Sequence, residues 1–265
     1  MGQTRLDWGD LIFRLVVLLV FVFLLFPIFI VILASLSTTS YLTFPPEGLT
    51  LRWYVKAMSQ DQYVNGFKFS LVLAAVTVII STVIGTMAAL ALIRYRFPTK
   101  EAINAFIMSP LIFPMVIIGI ALLQFFSSLG LANSFFGLVV GHVIITFPYL
   151  VRTVSASLQR FDESLEEAAR TLGASRARTF FFVTFPLIRP GIMAGAIFAF
   201  IVSFDNVPVS IFLQGIKQST LPVAIFSYIE YGIDPSIAAV SALLIFLTGF
   251  AIFIIERQIG LSQLV

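Results

Sequence analysis

The chain has 265 residues, of which 59% are hydrophobic and only 11% are charged, with a net charge of +3. That composition excludes an ordinary water-soluble globular protein and indicates a chain whose solvent is largely hydrocarbon. With no cysteine and a single histidine, the chain cannot carry disulfides, thiolate nucleophiles or metal sites rich in cysteine or histidine.

Six apolar stretches are long enough to cross a bilayer, which takes about 20 residues each. They cover residues 11–35, 67–93, 103–127, 134–151, 187–213 and 237–255. The first is longer than the core of a signal peptide, so we interpret it as a retained anchor. No internal repeat or linker marks a second domain. We therefore predict an all-α integral membrane protein, a bundle of six transmembrane helices that forms one domain over residues 1–265.

The lysine and arginine residues predict the orientation of this bundle. Most of the 16 fall before the first span or in the loops after the even-numbered spans, and only Arg52, Lys56, Lys68 and Lys217 fall on the other side. Because the side richer in basic residues faces the cytoplasm, both termini and the loop 152–186 should be cytoplasmic. This role in orientation also explains the positive charge without a nucleic-acid partner.

The third and fourth spans carry residues that disturb or tighten helices. Pro110, Pro114 and Gly119 predict irregular backbone in the third span. In the fourth, His142 should hydrogen-bond to another helix, with a role in transport as the alternative. The pairs Gly137/Gly141 and, in the fifth span, Gly191/Gly195 predict close helix packing within the bundle or against a partner subunit.

The loop 152–186 is a charged island with its own helix signals. Ser164 and Glu167 have the spacing of a capping box, in which each closes an unpaired amide at a helix start. Gly173 suits a left-handed helix end, and Ser175 suits the start of a second short helix. The sequence predicts helix, sharp turn, helix. The alternative is an ordinary solvated loop.

Asp205 is an acid inside the fifth span. Counted from a start near Ile188 at 1.5 Å per residue, it lies roughly 25 Å along the helix, in the outer third of the bilayer. An ionised carboxylate at this depth indicates a water-filled path, a partner or a cation. Pro208 cannot donate to the carbonyl of Phe204, which predicts a kink beside the acid. Asp205 thus favours a cationic passenger, and pairing with a neighbouring helix is the alternative.

The outer loop before the sixth span adds acidic and aromatic groups at Tyr228, Glu230, Tyr231 and Asp234. These side chains would continue a path for a cation, because ammonium groups interact with aromatic faces. Equally, residues 221–231 have the length of a re-entrant or interfacial helix. In that reading Glu230 is solvated or touches a partner protein outside the membrane. The sequence leaves both interpretations open.

The island also carries a family resemblance. Glu167-Ala-Ala, Gly173 and Val183-Thr-Phe-Pro186 resemble the signature of permease subunits of binding-protein-dependent ABC importers, with valine and phenylalanine where the family has isoleucine and leucine. The resemblance implies a bundle like that of type I ABC importer permeases. It also implies a coupling helix from Ser164 to about Gly173 that docks on a separate ATPase. The coupling residues would be Ser164, Glu166, Glu167, Ala168, Ala169 and Gly173.

Five further short segments of the sequence narrow the resemblance to one branch of this permease family. They are similar to the second permease subunit of spermidine/putrescine importers: Trp53-Tyr54, Arg94-Tyr-Arg-Phe97, Met108-Ser-Pro110, Ser203-Phe-Asp-Asn206 and Leu221-Pro222. Relatives of that branch carry opines, phosphonates or ferric iron, and these stay as alternative cargoes. The candidate pathway residues are Asp205, Phe204, Asn206, Tyr228, Glu230 and Tyr231.

The resemblance also implies partners and a location. A multi-pass subunit in the bacterial inner membrane would pair with a second permease of a different chain, with two ATPase subunits and with an extracytoplasmic binding protein. ATP and Mg would be held by the ATPases, because this chain has no phosphate-binding loop. We expect no cofactor, metal or catalytic residue in this chain. An ion-coupled secondary transporter with Asp205 as proton site is the alternative function.

Overall fold

The structure is a computed structural model that describes residues 8–215, 218–231 and 235–259, with side chains except at 230, 231 and 251–259. Every regular element in this described part is helical. The helices are α1 (Trp8–Ser35), α2 (Arg52–Ser59), α3 (Asp61–Arg94), α4 (Lys100–Met108), α5 (Met115–Ser128), α6 (Phe135–Gln159), α7 (Ser164–Thr171), α8 (Arg176–Thr179), α9 (Phe185–Phe204), α10 (Ser210–Leu213), α11 (Leu221–Tyr231) and α12 (Pro235–Ile259). A 3-10 turn at Ser109–Leu111 follows α4, and a π-type segment at Phe180–Thr184 joins α8 to α9.

The membrane-spanning character of the helices agrees with the composition. Within the described residues, four helices are long and apolar enough to cross a bilayer: Trp8–Ser35, Asp61–Arg94, Phe135–Gln159 and Arg176–Phe204. A fifth span results if Lys100–Leu111 and Met115–Ser128 count together. The all-helical membrane architecture is thus confirmed. The sixth span stays a prediction, since the described apolar part of α12, Pro235–Phe250, is shorter.

The third predicted span is broken. Its two halves meet at an angle of 106°, and Pro114, the N-cap of α5, has an extended ψ of 128°. Proline cannot donate the hydrogen bond that would continue the preceding helix. The irregular backbone predicted from Pro110 and Pro114 is therefore confirmed.

The fifth predicted span differs from the expectation at both ends. It begins earlier, because α8, the π-type segment and α9 run on as one helical stretch from Arg176. It ends at Phe204 with Asp205 as C-cap, and α10 begins only at Ser210. The prediction of a merely kinked helix over 187–213 was wrong. With Pro208 unable to donate to the carbonyl of Phe204, the helix stops and restarts.

The described residues within 1–63 and 227–261 form one compact unit. In it α12 packs against α1 and α2. Trp53 of α2 donates its indole N–H to the carbonyl of Ser37 over 2.7 Å, and the hydroxyl of Tyr54 lies 2.6 Å from that of Ser35. None of the most apolar window of α1 is buried, so this helix presents its side chains to lipid or to another subunit.

Residues 64–226 form the other compact unit, which has α6 at its centre. Helix α6 packs closely against α9. A Cβ added to Gly191 would lie 2.7 Å from the carbonyl oxygen of Thr153, and one added to Gly195 would lie 2.7 Å from Leu150. The small-residue pair of the fifth span therefore packs within this chain. Two apolar clusters form among the described residues of this unit, one around Leu73, Leu138, Ile145, Val209 and Leu213 and the other around Ala89, Val151, Val154, Leu158 and Ile188.

Candidate functional site

The first helix of the charged island, α7, is capped by a residue that sequence reasoning missed. The backbone N–H of Ser164 donates to Oδ1 of Asp162 over 3.0 Å, and this bond lowers the pKa of Asp162. The predicted capping box is wrong, because Ser164 is the first residue inside the helix and the N-cap, Glu163, makes no side-chain cap bond. In a capping box the serine is the N-cap, which lies just outside the first helical residue. Asp162, an N-cap type two residues upstream, was the available signal.

The end of α7 matches the prediction for Gly173. Its φ is +89°, its N–H donates to the carbonyl of Arg170 over 3.0 Å, and the N–H of Ala174 donates to that of Ala169 over 3.0 Å. These two bonds form a Schellman motif. Ser175 then caps α8 by accepting from the N–H of Arg178. The predicted helix, turn and helix are confirmed, and we call residues 162–179 the α7–α8 hairpin.

Glu166 ties the α7–α8 hairpin to the rest of its unit. Its Oε1 accepts hydrogen bonds from the guanidinium of Arg94, at the end of α3, and from the hydroxyl of Thr184 in the π-type segment. Only 16% of the Glu166 side chain and 28% of the Arg94 side chain are exposed. One carboxylate therefore joins three elements. No local pattern reveals this contact, because its partners lie 72 and 18 residues away.

The opposite face of α7 is open. Ser164, Glu167 and Ala168 are exposed, and Ala169 is half-buried. Beyond the helix, the side chain of Leu172 is 89% exposed and adds an apolar group to this face. A small, partly apolar surface whose rear is fixed by Glu166 is suited to close approach by another protein.

The break after α9 carries the acid. Asp205 is exposed, and its backbone N–H still donates to the carbonyl of Ile201 over 3.0 Å. The buried side chain of Asn206 accepts from the N–H of Val209 over 2.8 Å. The chain turns between these two bonds, so the carboxylate of Asp205 sits at a helix end while the Asn206 side-chain oxygen closes the turn.

Aromatic and glycine contacts hold the break from two sides. Phe204 stacks on Phe200 at 5.7 Å between ring centroids and meets the edge of Phe67 at 6.0 Å. A Cβ added to Gly119 would lie 2.8 Å from the carbonyl oxygen of Pro208. Gly119 therefore allows α5 to approach the backbone of the break, so the two interrupted stretches lie against each other.

His142 reaches the same break from α6. It is fully buried, with Nδ1 2.9 Å from the hydroxyl of Ser203 and Nε2 3.0 Å from that of Ser210. The predicted hydrogen bond to another helix is confirmed. The sequence did not reveal that the ring contacts the chain on both sides of the break.

The outer-loop candidates are only partly described. Residues 221–231 form α11, as the apolar run predicted. The ring of Tyr228 lies 5.9 Å from that of Tyr63. Glu230 and Tyr231 fall in the last turn of α11 with side chains outside the described part, and Asp234 lies outside the described residues. A path that continues through these residues stays a prediction.

Comparisons with known proteins place these features in context. Residues 81–260 match the family model described as binding-protein-dependent transport system inner membrane component. The spermidine/putrescine transport system permease PotC of Escherichia coli K12 is 31% identical over 86% of this chain and 86% of its own. The putrescine permease PotI of the same strain is 32% identical over 91% and 88%. The molybdate/tungstate permease WtpB of Pyrococcus abyssi is 30% identical over 73% and 77%.

A solved structure agrees with the fold. A chain of a bacterial ABC transporter involved in the import of the acidic polysaccharide alginate superposes with a TM-score of 0.76, covering 98% of this chain and 99% of the matched chain. The sequence identity is 17%, so the similarity concerns the fold alone.

Proposed function

The chain belongs to the binding-protein-dependent transport system inner membrane components and is a non-catalytic, multi-pass inner-membrane permease subunit of an ABC importer, and on this premise we propose that it conducts a small cation of the polyamine type. Membership decides between the importer permease and the ion-coupled carrier that the sequence left open. The cargo, the coupling surface and the composition of the assembly are the parts that we propose.

The observation that carries the cargo proposal is the exposed carboxylate of Asp205 at the end of α9. Interrupted helices recur at transport sites in membrane proteins, and an acid at membrane depth is costly unless it serves water or a cation. Two similar permeases are named for polyamines, whereas WtpB is named for oxyanions. Family similarity therefore does not decide whether the cargo is a cation or an anion. The negative charge of Asp205 favours a cation.

Within this pathway the candidate residues have different roles. Phe204 packs on Phe200 and Phe67 and so supports the position of the neighbouring Asp205. Asn206 shapes the turn through its bond to the N–H of Val209. We assign Tyr228, Glu230 and Tyr231 to a continuation of the path on the outer side, supported by their acidic and aromatic chemistry.

The coupling surface in this proposal is the open face of the α7–α8 hairpin. Ser164, Glu167, Ala168, Ala169 and Gly173 would meet a groove of the ATPase. Glu166 lies on the side of α7 that faces the rest of the unit. In this proposal its bonds to Arg94 and Thr184 transmit force from the hairpin to the spans. A rigid attachment is what a coupling element needs, since a loosely held hairpin would move without moving the helices.

The proposed assembly contains a second permease of a different chain, two ATPase subunits that hold ATP and Mg, and an extracytoplasmic binding protein. Membership in a family of ABC importer permeases supports ATPase and binding-protein partners in general. The exposed apolar surface of α1 supports a further contact with lipid or with the second permease.

The proposed topology has six spans in one domain over residues 1–265, with both termini in the cytoplasm. The 25-residue length of α12 supports the sixth span, because about 20 residues cross the hydrocarbon core. The family match over residues 81–260 runs through parts of both compact units, which supports a single functional domain.

Uptake by the complete transporter tests the cargo. In proteoliposomes that contain this subunit with its partner permease, ATPases and binding protein, we expect ATP-dependent uptake of radiolabelled spermidine or putrescine. Asp205→Asn keeps the shape but removes the charge, so we expect uptake to fall about tenfold, as for a lost charge-assisted contact. Glu101→Gln removes an exposed carboxylate from α4, outside the candidate pathway, and serves as the control that should leave uptake unchanged.

Two outcomes would contradict the proposal. Uptake of molybdate, a phosphonate, an opine or ferric iron without uptake of polyamines would assign another cargo. Unchanged polyamine uptake by Asp205→Asn would remove the carboxylate from the recognition of the cation.

A further inference from the structure

His142 contacts the chain on both sides of the break. Ser203 lies in the last turn of α9 and Ser210 is the first residue of α10, and the imidazole lies between their hydroxyls at 2.9 and 3.0 Å. All three residues are at most 2% exposed. An imidazole with one N–H and one lone-pair nitrogen can bond to two hydroxyls, because a serine hydroxyl can donate or accept. One side chain thus fixes the separation of the two helix ends.

We propose that His142 is a positioning residue for transport, which holds Asp205 at the pathway by joining Ser203 to Ser210. The inference deepens the proposed function and rests on its assignment of Asp205 to the pathway. The residues between the two serines include Asp205, Asn206 and the rest of the turn. Their conformation therefore depends on a group that belongs to a third helix, α6.

A second set of contacts connects the ring to the body of the unit. The hydroxyl of Thr146, one turn further along α6, donates to the carbonyl of His142 over 2.8 Å. The same hydroxyl lies 2.8 Å from that of Ser81 in α3. Buried polar networks of this kind specify one arrangement, because an unpaired buried polar group costs more than a made hydrogen bond contributes. If α6 moves relative to α9, either the break moves with α6 or the hydrogen bonds of His142 to Ser203 and Ser210 are lost.

Variants of His142 distinguish a positioning role of the side chain from a role in packing alone. His142→Phe keeps a ring but removes both nitrogens, and we expect the KM for polyamine uptake to rise about fivefold to tenfold, as the loss of one to two hydrogen bonds implies. The maximal rate should change less. His142→Gln restores a donor and an acceptor, so its KM should lie within about twofold of the wild type. Ser203→Ala combined with Ser210→Ala should reproduce the effect of His142→Phe without altering the ring.

The matched control is Thr146→Val. Thr146 is fully buried in the same helix and the same network, but its hydroxyl bonds to Ser81 and to carbonyls of α6 and not to Ser203 or Ser210. A purely structural role of the network predicts equal effects of Thr146→Val and His142→Phe, and that result would overturn the proposal. An equal loss in His142→Gln and His142→Phe would overturn it as well.

Combination with Asp205→Asn tests whether His142 acts through the acid. If it does, His142→Phe should raise KM no further in the Asp205→Asn background. A full multiplication of the two effects would show that His142 acts elsewhere and would overturn the inference.

A labelling experiment keeps the inference separate from the proposed cargo. The chain has no cysteine, so Val207→Cys introduces one thiol on this subunit within the break. We expect a water-soluble methanethiosulfonate reagent to modify it at a clearly changed rate in His142→Phe and in the double serine variant, but not in Thr146→Val. Unchanged uptake by Asp205→Asn together with this changed labelling would reject the role of Asp205 while retaining His142 as the residue that sets the break. Unchanged labelling in His142→Phe would reject the role of His142.

Discussion

At the residue scale, Gly173 is the position where backbone conformation decides the amino acid. A Cβ at Gly173 would meet nothing within 4 Å, yet its φ of +89° lies in the left-handed region. The cost of a substitution is therefore conformational and not steric. For a residue other than glycine this region costs about 1–2 kcal/mol, and asparagine tolerates it better than most.

We expect Gly173→Val to open the Schellman motif and to uncouple ATP hydrolysis from uptake without preventing insertion into the membrane. A β-branched residue at this φ is strained, so the end of α7 should shift away from its docking position. Gly173→Asn is the matched control and should remain coupled. The measurement is the number of substrate molecules taken up per ATP hydrolysed in proteoliposomes, and an unaltered ratio in Gly173→Val would count against docking by the hairpin.

At the element scale, the attachment of α7 depends on Glu166 more than on the helix itself. The helix has only 8 residues, and isolated helices of that length are marginal in water. The bonds from Arg94 and Thr184 supply the stability that so short a helix lacks. Hydrogen bonds to charged groups contribute about 1.5–3 kcal/mol each, and the limited exposure of Arg94 and Glu166 keeps screening by solvent moderate.

We expect Arg94→Ala and Glu166→Ala each to lower the thermal stability of the purified complex, and the double variant to lower it by less than the sum. The single variants leave one partly buried charge without its partner, whereas the double variant removes both. Arg96→Ala, an exposed arginine two residues on, is the control and should change little. Strict additivity in a double-mutant cycle on the melting temperature would refute the coupling between Arg94 and Glu166.

Several pieces that carry the family resemblance lie where helices begin or end. Met108-Ser-Pro110 covers the end of α4 and the 3-10 turn, Ser203-Phe-Asp-Asn206 covers the end of α9, and Leu221-Pro222 starts α11. Arg94 ends α3 and bonds to Glu166. Helix ends leave backbone groups unpaired, so particular residue types are required there, whereas apolar residues within a span are interchangeable. This explains why short pieces scattered over the chain were informative.

At the scale of the whole molecule, the distribution of basic residues predicts the orientation. The membrane potential and anionic lipids act on positively charged loops during insertion, and the α7–α8 hairpin, with three arginines between residues 162 and 179, carries a strong local signal. The proposed docking on an ATPase requires this side to be cytoplasmic.

We expect a fluorescent protein fused after Val265 to fluoresce and alkaline phosphatase at the same position to be inactive, because the former folds in the cytoplasm and the latter outside it. A matched pair of fusions within the outer loop 36–50 should give the opposite result. Active phosphatase at the C-terminus would contradict its cytoplasmic location and, with a cytoplasmic N-terminus, the even number of spans.

The sequence by itself determined the membrane class, the local helix and turn around Gly173, and the interruption at Pro110 and Pro114. Each depends on composition or on neighbours within a few residues, where hydrophobicity and backbone preferences act directly. Only the tertiary structure decided that α9 stops at Phe204, that Asp162 replaces the capping box, that Glu166 bonds to Arg94, and that His142 joins Ser203 to Ser210. Long-range hydrogen bonds such as those of Glu166 and His142 form between residues that chain folding brings together, and local patterns carry no record of such partners.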